Sequence, residues 1–240
     1  MDLRIISIGT LAAHPLWEER TPVRTGHATT TLVQSDGANI IIDPGLPAPA
    51  LNARLSERTQ LRPKDITHVF LTSFNPECRR GIELFDQAKW LLSEKERETI
   101  GVPLATSLAR LAETKELAES SGEEFDDDQQ GMLQVLQRDV AILARCEAAE
   151  DSIAPGVDLF PLPGFSPGLC GVLINEPTRT TLVCGDAIPT IEHLMQGKVM
   201  PSCADRELAM ESFQEAVEIA DVLVLGRDHL VLSPNQRGIA

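Results

Sequence analysis

The stretch from Ile66 to Leu92 constrains the fold of this chain more than any other. Ile66-Thr-His-Val-Phe-Leu-Thr72 mixes apolar and β-branched residues as a buried strand does. It breaks into the polar loop Ser73-Phe-Asn-Pro-Glu-Cys-Arg-Arg80, after which Phe85, Ala88 and Leu92 recur at helical spacing. The reading is strand, loop, helix, with the loop carrying Ser73, Asn75, Glu77 and Cys78 in close succession.

A chain of 240 residues can bury a sizeable core, and we expect one α/β domain over residues 1–240. The sequence enters a strand at Leu3–Ile8 without a basic region, a long apolar run or a small-residue cleavage site, so no secretory signal is expected. No apolar stretch reaches membrane-spanning length, and no membrane partner is expected. The five cysteines, at 78, 146, 170, 184 and 203, form no C-x-x-C pair, which favours reduced thiols and a cytoplasmic setting. A net charge of -15 argues against nucleic acid as a partner, because phosphate binding draws on clustered lysine and arginine.

Four further segments fall in order around the first. Thr29 to Gly45 reads as a hairpin and a strand that ends in Asp43-Pro-Gly. Phe160-Pro-Leu-Pro-Gly-Phe-Ser-Pro-Gly168 leads into Leu169–Ile174, Thr181–Val183 runs into Cys184-Gly-Asp-Ala187, and Val222–Leu225 runs into Gly226-Arg-Asp228. Together these segments resemble the metallo-β-lactamase fold superfamily over nearly the whole chain. In that family a strand closes in Leu-Thr-His-x-His-x-Asp-His, a Pro-Gly-His segment follows, and a bridging aspartate and a final histidine complete the metal ligands. The resemblance implies a four-layer αββα sandwich: two mixed β-sheets flanked by helices, with a helical-hairpin insertion. It also implies zinc or iron as the metal and hydrolysis of an ester, thioester, amide or phosphodiester as the chemistry.

The ligand positions fall on Ser73, Asn75, Glu77, Cys78, Phe165, Asp186 and Arg227, and only Asp186 keeps the family residue. Phenylalanine offers no lone pair, serine and asparagine are weak neutral donors, and a guanidinium has no acceptor and repels a cation. A nitrogen-rich site with ligands at about 2.0 to 2.3 Å is therefore not expected at positions 73, 75 and 165, and no cofactor is expected overall. A residual site would have to draw on Glu77, Cys78, Asp186 and His229. Our reading is that Arg227 replaces the metal electrostatically, bridging Glu77 and Asp186 at the ends of neighbouring strands. Asp43 matches the family's supporting aspartate, which holds the ligand loop by hydrogen bonds.

Three functions follow as alternatives. The first is a non-hydrolytic pseudoenzyme that binds a small anionic ligand or a protein partner. The second is a metal-dependent hydrolase with an altered single-metal site. The third is a metal-free activity at Cys78, with Arg79, Arg80 and Arg227 stabilising the thiolate. Of the histidines, His14, His27, His68, His193 and His229, none forms a close metal-binding pair in sequence. His68 reads as a structural residue of its strand, while His27 and His229 are placed to face the site.

Two helices are expected in the insertion, residues 103–150, between the halves of the sandwich. Pro103 suits the first turn of a helix reaching Ser121, with Leu104, Leu108 and Leu111 on one face, and Gly122 suits its end. Gln129 to Ala149 aligns Met132, Leu136, Val140 and Leu143. The acidic run between the helices reads as a solvated turn. The apolar stripes must pack on the domain, on a second copy of the chain, or as a lid over the site. Ala204 to Ala220 reads as an amphipathic helix through Ala209, Phe213 and Val217.

Overall fold

The computed structural model describes residues 1–121 and 125–235. Strict alternation of buried side chains builds its two sheets. Along β3 (Ala38–Ile42), Ile40 and Ile42 face the opposing sheet while Ile41 faces helices. The same switch separates Phe70 from Val69 and Leu71 on β4 (His68–Leu71), and Leu91 from Trp90 and Leu92 on β5 (Lys89–Leu92). Strands with both faces buried read as continuous apolar runs, which is why the sequence marks them so clearly.

The first sheet has the order β1-β2-β3-β4-β5-β6, with β1 at Asp2–Ser7, β2 at Thr30–Ser35 and β6 at Glu147–Ala148. Its β1 to β3 pairs are antiparallel and its β3 to β6 pairs parallel. The β2–β3 hairpin turns at Asp36-Gly37, both with positive φ, which the tight turn between Ser35 and Ala38 requires. The second sheet has the order β12-β11-β10-β9-β8-β7. Its strands are β7 (Ser152–Ala154), β8 (Val157–Pro161), β9 (Cys170–Glu176), β10 (Arg179–Val183), β11 (Val222–Val224) and β12 (Leu230–Leu232). Among the described residues only β10 and β11 pair in parallel there.

Helices close both outer faces. α1 (Ala48–Arg58) puts Leu51 and Leu55 on the first sheet, together with Ile142 of the insertion. α5 (Ile191–Gln196) and α6 (Arg206–Ile219) put Leu194, Phe213 and Ala216 on the second. With the inter-sheet core between, the result is the four-layer sandwich expected from the sequence. α6 matches its expected extent closely and buries Ala209, Ser212, Phe213 and Ala216. Among the described residues no helix is long and apolar enough to cross a membrane.

Three expectations need correction. No helix runs from Gly81 to Leu92: a short α2 (Pro76–Arg79) and a 3-10 turn at Ile82–Phe85 lead into strand β5, because Trp90, Leu91 and Leu92 are needed on alternate faces of the sheet. The first helix of the insertion, α3, spans Glu94–Ser121, so Pro103 lies inside it and not in its first turn. The second, α4, spans Asp127–Arg145, and residues 147–148 leave it to pair with β5 as β6. The insertion is thus a crossover between two parallel strands of the first sheet rather than a link between the halves. The buried residues of α4 are Leu133 and Ile142, and Met132 is exposed. Gly122, and part of the acidic run with it, lies outside the described residues.

Candidate functional site

The site forms where four strand ends from the two sheets meet, and glycines allow the approach. After β10 the chain turns through Gly185, with φ +53, and after β11 it passes Gly226, whose absent Cβ would overlap the carbonyl of Gly185. Cys184 N donates to Val224 O at 2.9 Å, and Arg227 N donates to Pro189 O at 2.7 Å. This crossing sets the side chains of Asp186 and Arg227 against each other at the floor. On the first sheet, Asp43 follows β3 with φ +50. It accepts from Thr72 N at 2.8 Å and from Thr72 Oγ1 at 2.7 Å, which fixes the start of the 73–80 loop. Asn75 then caps α2 by accepting from Glu77 N at 3.0 Å.

The seven sequence-matched positions are contiguous. Arg227, 3% exposed, donates from Nε to Asp186 Oδ1 and from Nη2 to Asp186 Oδ2, both at 2.7 Å. Its Nη1 reaches Glu77 Oε2 at 2.5 Å. Burial opposes the guanidinium's charge, yet the charge and hydrogen bonds of Asp186, with Glu77 adding to them, raise its pKa above the ordinary value. Asn75 Nδ2 lies 3.5 Å from Asp186 Oδ2, and Ser73 Oγ lies 3.7 Å from Cys78 Sγ. Phe165 lines the same cavity of about 470 Å³ as Asn75, Glu77, Asp186 and Arg227. The two bridged carboxylates come from different sheets, not from neighbouring strands as expected, since Glu77 follows β4 and Asp186 follows β10.

This donor set does not fit a metal ion. Asp186 gives both oxygens to Arg227, Glu77 gives one, and the guanidinium stands with a full positive charge where a cation would have to lie. Among the described residues no group of three or more histidine, cysteine, aspartate or glutamate side chains is arranged to hold a metal. His229 does not complete one: it is exposed and turns to Asp228 Oδ1 at 2.6 Å. His27 is also occupied elsewhere, with its ring nitrogens at the carbonyls of Thr25 and Ile8. His68 is half-buried at the start of β4, with Nδ1 2.8 Å from Thr67 Oγ1.

The thiolate expectation for Cys78 is overturned. The side chain is buried, and that burial, with the nearby charge of Asp43 adding, pushes its pKa well above the ordinary thiol value despite Arg227. Arg79 points the other way, donating from Nη1 to Asp139 Oδ1 of α4 at 2.7 Å and stacking on Phe74. Asp43 itself is pushed up to about 7 by burial, against the hydrogen bonds from Thr72.

Two features were missed in the sequence. Glu96, buried in the first turn of α3, accepts from Phe74 N at 2.9 Å, from Ser166 Oγ at 2.7 Å and from Gly168 N at 3.2 Å, tying both site loops to the insertion. The Ser93-x-x-Glu96 pattern is a helix-start signal that could have located it. His14 and His193, distant in sequence, come within 5.3 Å of each other with Thr190 Oγ1 between them, and burial pushes His193 down to about 4. No local pattern marks that pair. No residue of α3 or α4 lines the cavity, so the insertion supports the site from behind and is not a lid over it.

A profile of the Metallo-beta-lactamase superfamily matches residues 23–73. Solved structures of similar fold include a protein from Staphylococcus aureus described as a probable metal-dependent hydrolase. It is 16% identical, with a TM-score of 0.66 over 96% of this chain and 91% of that one. A Thermotoga maritima protein described by inference as a metallo-beta-lactamase is 18% identical, with a TM-score of 0.63 over 96% and 98%. AidC, a dizinc quorum-quenching lactonase, is 16% identical, with a TM-score of 0.64 over 85% and 74%. No curated protein matches in sequence.

Proposed function

This chain has the metallo-β-lactamase fold, and from that premise we propose that it is a non-hydrolytic member, a binding protein in which Arg227 takes the electrostatic place of the metal. The observation that carries the reading is the buried three-point bridge from Arg227 to Asp186 and Glu77. Metal-assisted hydrolysis needs a cation that lowers the pKa of bound water. A guanidinium offsets one of the two carboxylate charges but coordinates nothing, so the cavity keeps its shape and loses its source of hydroxide. Ser73 and Cys78 supply no substitute nucleophile, because both are buried and, among the described residues, no histidine base stands beside either, Ser73 Oγ accepting from Asn75 N at 3.5 Å and lying 3.7 Å from Cys78 Sγ. What remains is an open cavity with charged and apolar walls, the form of a small-molecule site.

The test is elemental analysis of protein purified without chelator, together with turnover of lactone, thioester and phosphodiester substrates before and after zinc addition. The expected result is far less than one metal per chain and no zinc-dependent turnover. About one or two metals per chain, or activity that chelator removes and zinc restores, would revive the alternative of an altered metal hydrolase, which the fold relatives favour. A converse variant carrying S73H, N75H, C78H, F165H and R227H is expected to gain metal binding.

A further inference from the structure

We propose that the cavity above the Arg227 bridge takes a small zwitterion with an apolar side chain, a free amino acid, held through its carboxylate by Arg80 and through its ammonium by Glu77. This rests on the non-hydrolytic binding reading and names the ligand class for the same site. Glu77 lies in α2, and Arg80, three residues on, continues the right-handed helical backbone. Opposite charges at that spacing are neighbours on a helical turn and ordinarily pair. Here they do not: Glu77 turns Oε2 to Arg227, and among the described residues the Arg80 guanidinium has no hydrogen bond or ion pair. Glu77 nevertheless stays 27% exposed, and both residues line the cavity.

The lining therefore has two unspent poles. Glu77, Asp186 and Arg227 together keep one excess negative charge, and Arg80 keeps one positive charge. A plain anion would meet Arg80 but also the negative floor and the field of a chain whose net charge is -15. A plain amine would leave Arg80 unmatched. A zwitterion satisfies both poles and carries no net charge into that field. Leu11, Pro76, Phe165 and Met200 form the apolar part of the wall and fit its side chain.

Isothermal titration of the full chain with L-leucine, L-methionine and L-phenylalanine tests this, alongside two single-charge analogues of leucine, 4-methylpentanoate and 3-methylbutylamine. At least one amino acid is expected to bind saturably, with each analogue of leucine weaker than leucine by about tenfold or more. Arg80→Gln is expected to weaken amino-acid binding to a similar degree while leaving the melting temperature unchanged, since Arg80 has no partner among the described residues to lose. Equal affinity for 4-methylpentanoate and leucine would replace the zwitterion with a simple anion, and undiminished binding by Arg80→Gln would remove Arg80 from the site. Absence of binding by all three amino acids in metal-free protein overturns the ligand class and leaves the non-hydrolytic reading intact. Stoichiometric metal in the same sample would overturn that reading instead.

Discussion

Arg227→Met would strand Asp186, which is as deeply buried as the arginine it faces. Removing one member of a buried pair leaves an uncompensated charge, so a loss on the order of 3–5 kcal/mol is expected, measured by urea unfolding. Adding Asp186→Leu and Glu77→Gln should recover much of that loss, because the apolar replacement removes the charges that the arginine served. A second residue-scale prediction concerns the thiols. Cys78, Cys146, Cys170 and Cys184 are buried and only Cys203 is partly exposed, so a thiol reagent should titrate one cysteine in the native protein and all five after denaturation. Rapid native labelling of Cys78 would contradict the burial that argues against a cysteine-based activity. The register of the site residues came from the family resemblance, anchored on strands whose apolar pattern is strong. The bridge from Arg227 to Glu77 and Asp186 was expected from that register, but its geometry was not readable, since Asp186 and Arg227 meet through two loops whose crossing depends on Gly185 and Gly226.

At the scale of elements, the insertion is fastened to the site by two carboxylate contacts, the partly buried Asp139 with Arg79 and the buried Glu96 with the two loops. Asp139→Ala should cost on the order of 3 kcal/mol, because Arg79 is 6% exposed and would be left without its ion pair. Met132→Lys, on the exposed side of α4, should stay within about 0.5 kcal/mol of the parent. The contrast, read by denaturant unfolding, separates the face that packs from the one that does not. Helical periodicity located both helices, but Pro103 was taken as a start because proline is tolerated in a first turn. The true start is set by Ser93, whose Oγ accepts from Glu96 N at 3.2 Å. The stretch before β5 misled for another reason: Phe85, Ala88 and Leu92 fit a helical face, yet pairing with β4 was decided by a neighbouring strand that periodicity does not contain.

For the whole molecule, the pH dependence of stability should carry the signature of Asp43. Its folded pKa of about 7 lies above the ordinary 3.8, so the folded state holds the proton longer than the unfolded one. That contribution is full below about pH 4, declines as the pH rises toward 7, and is lost above it. Comparing urea midpoints of the parent and Asp43→Asn between pH 4 and 8, the decline should be shallower in the variant; identical profiles would show that Asp43 titrates normally. The sequence by itself marked the apolar strands that lead into the site and the loops where the chain leaves them, because burial pattern and turn chemistry are local properties; the four-layer sandwich entered through the family resemblance, and β5 and β6 were read as helix. Tertiary structure alone decided the three-point geometry by which Glu77 and Asp186, on separate sheets, share one guanidinium, that Cys78 is sealed, that Arg80 is unpaired among the described residues, and that His229 turns outward. Those outcomes depend on distances between strand ends in separate sheets, and electrostatic pairing is fixed by such distances rather than by spacing along the chain.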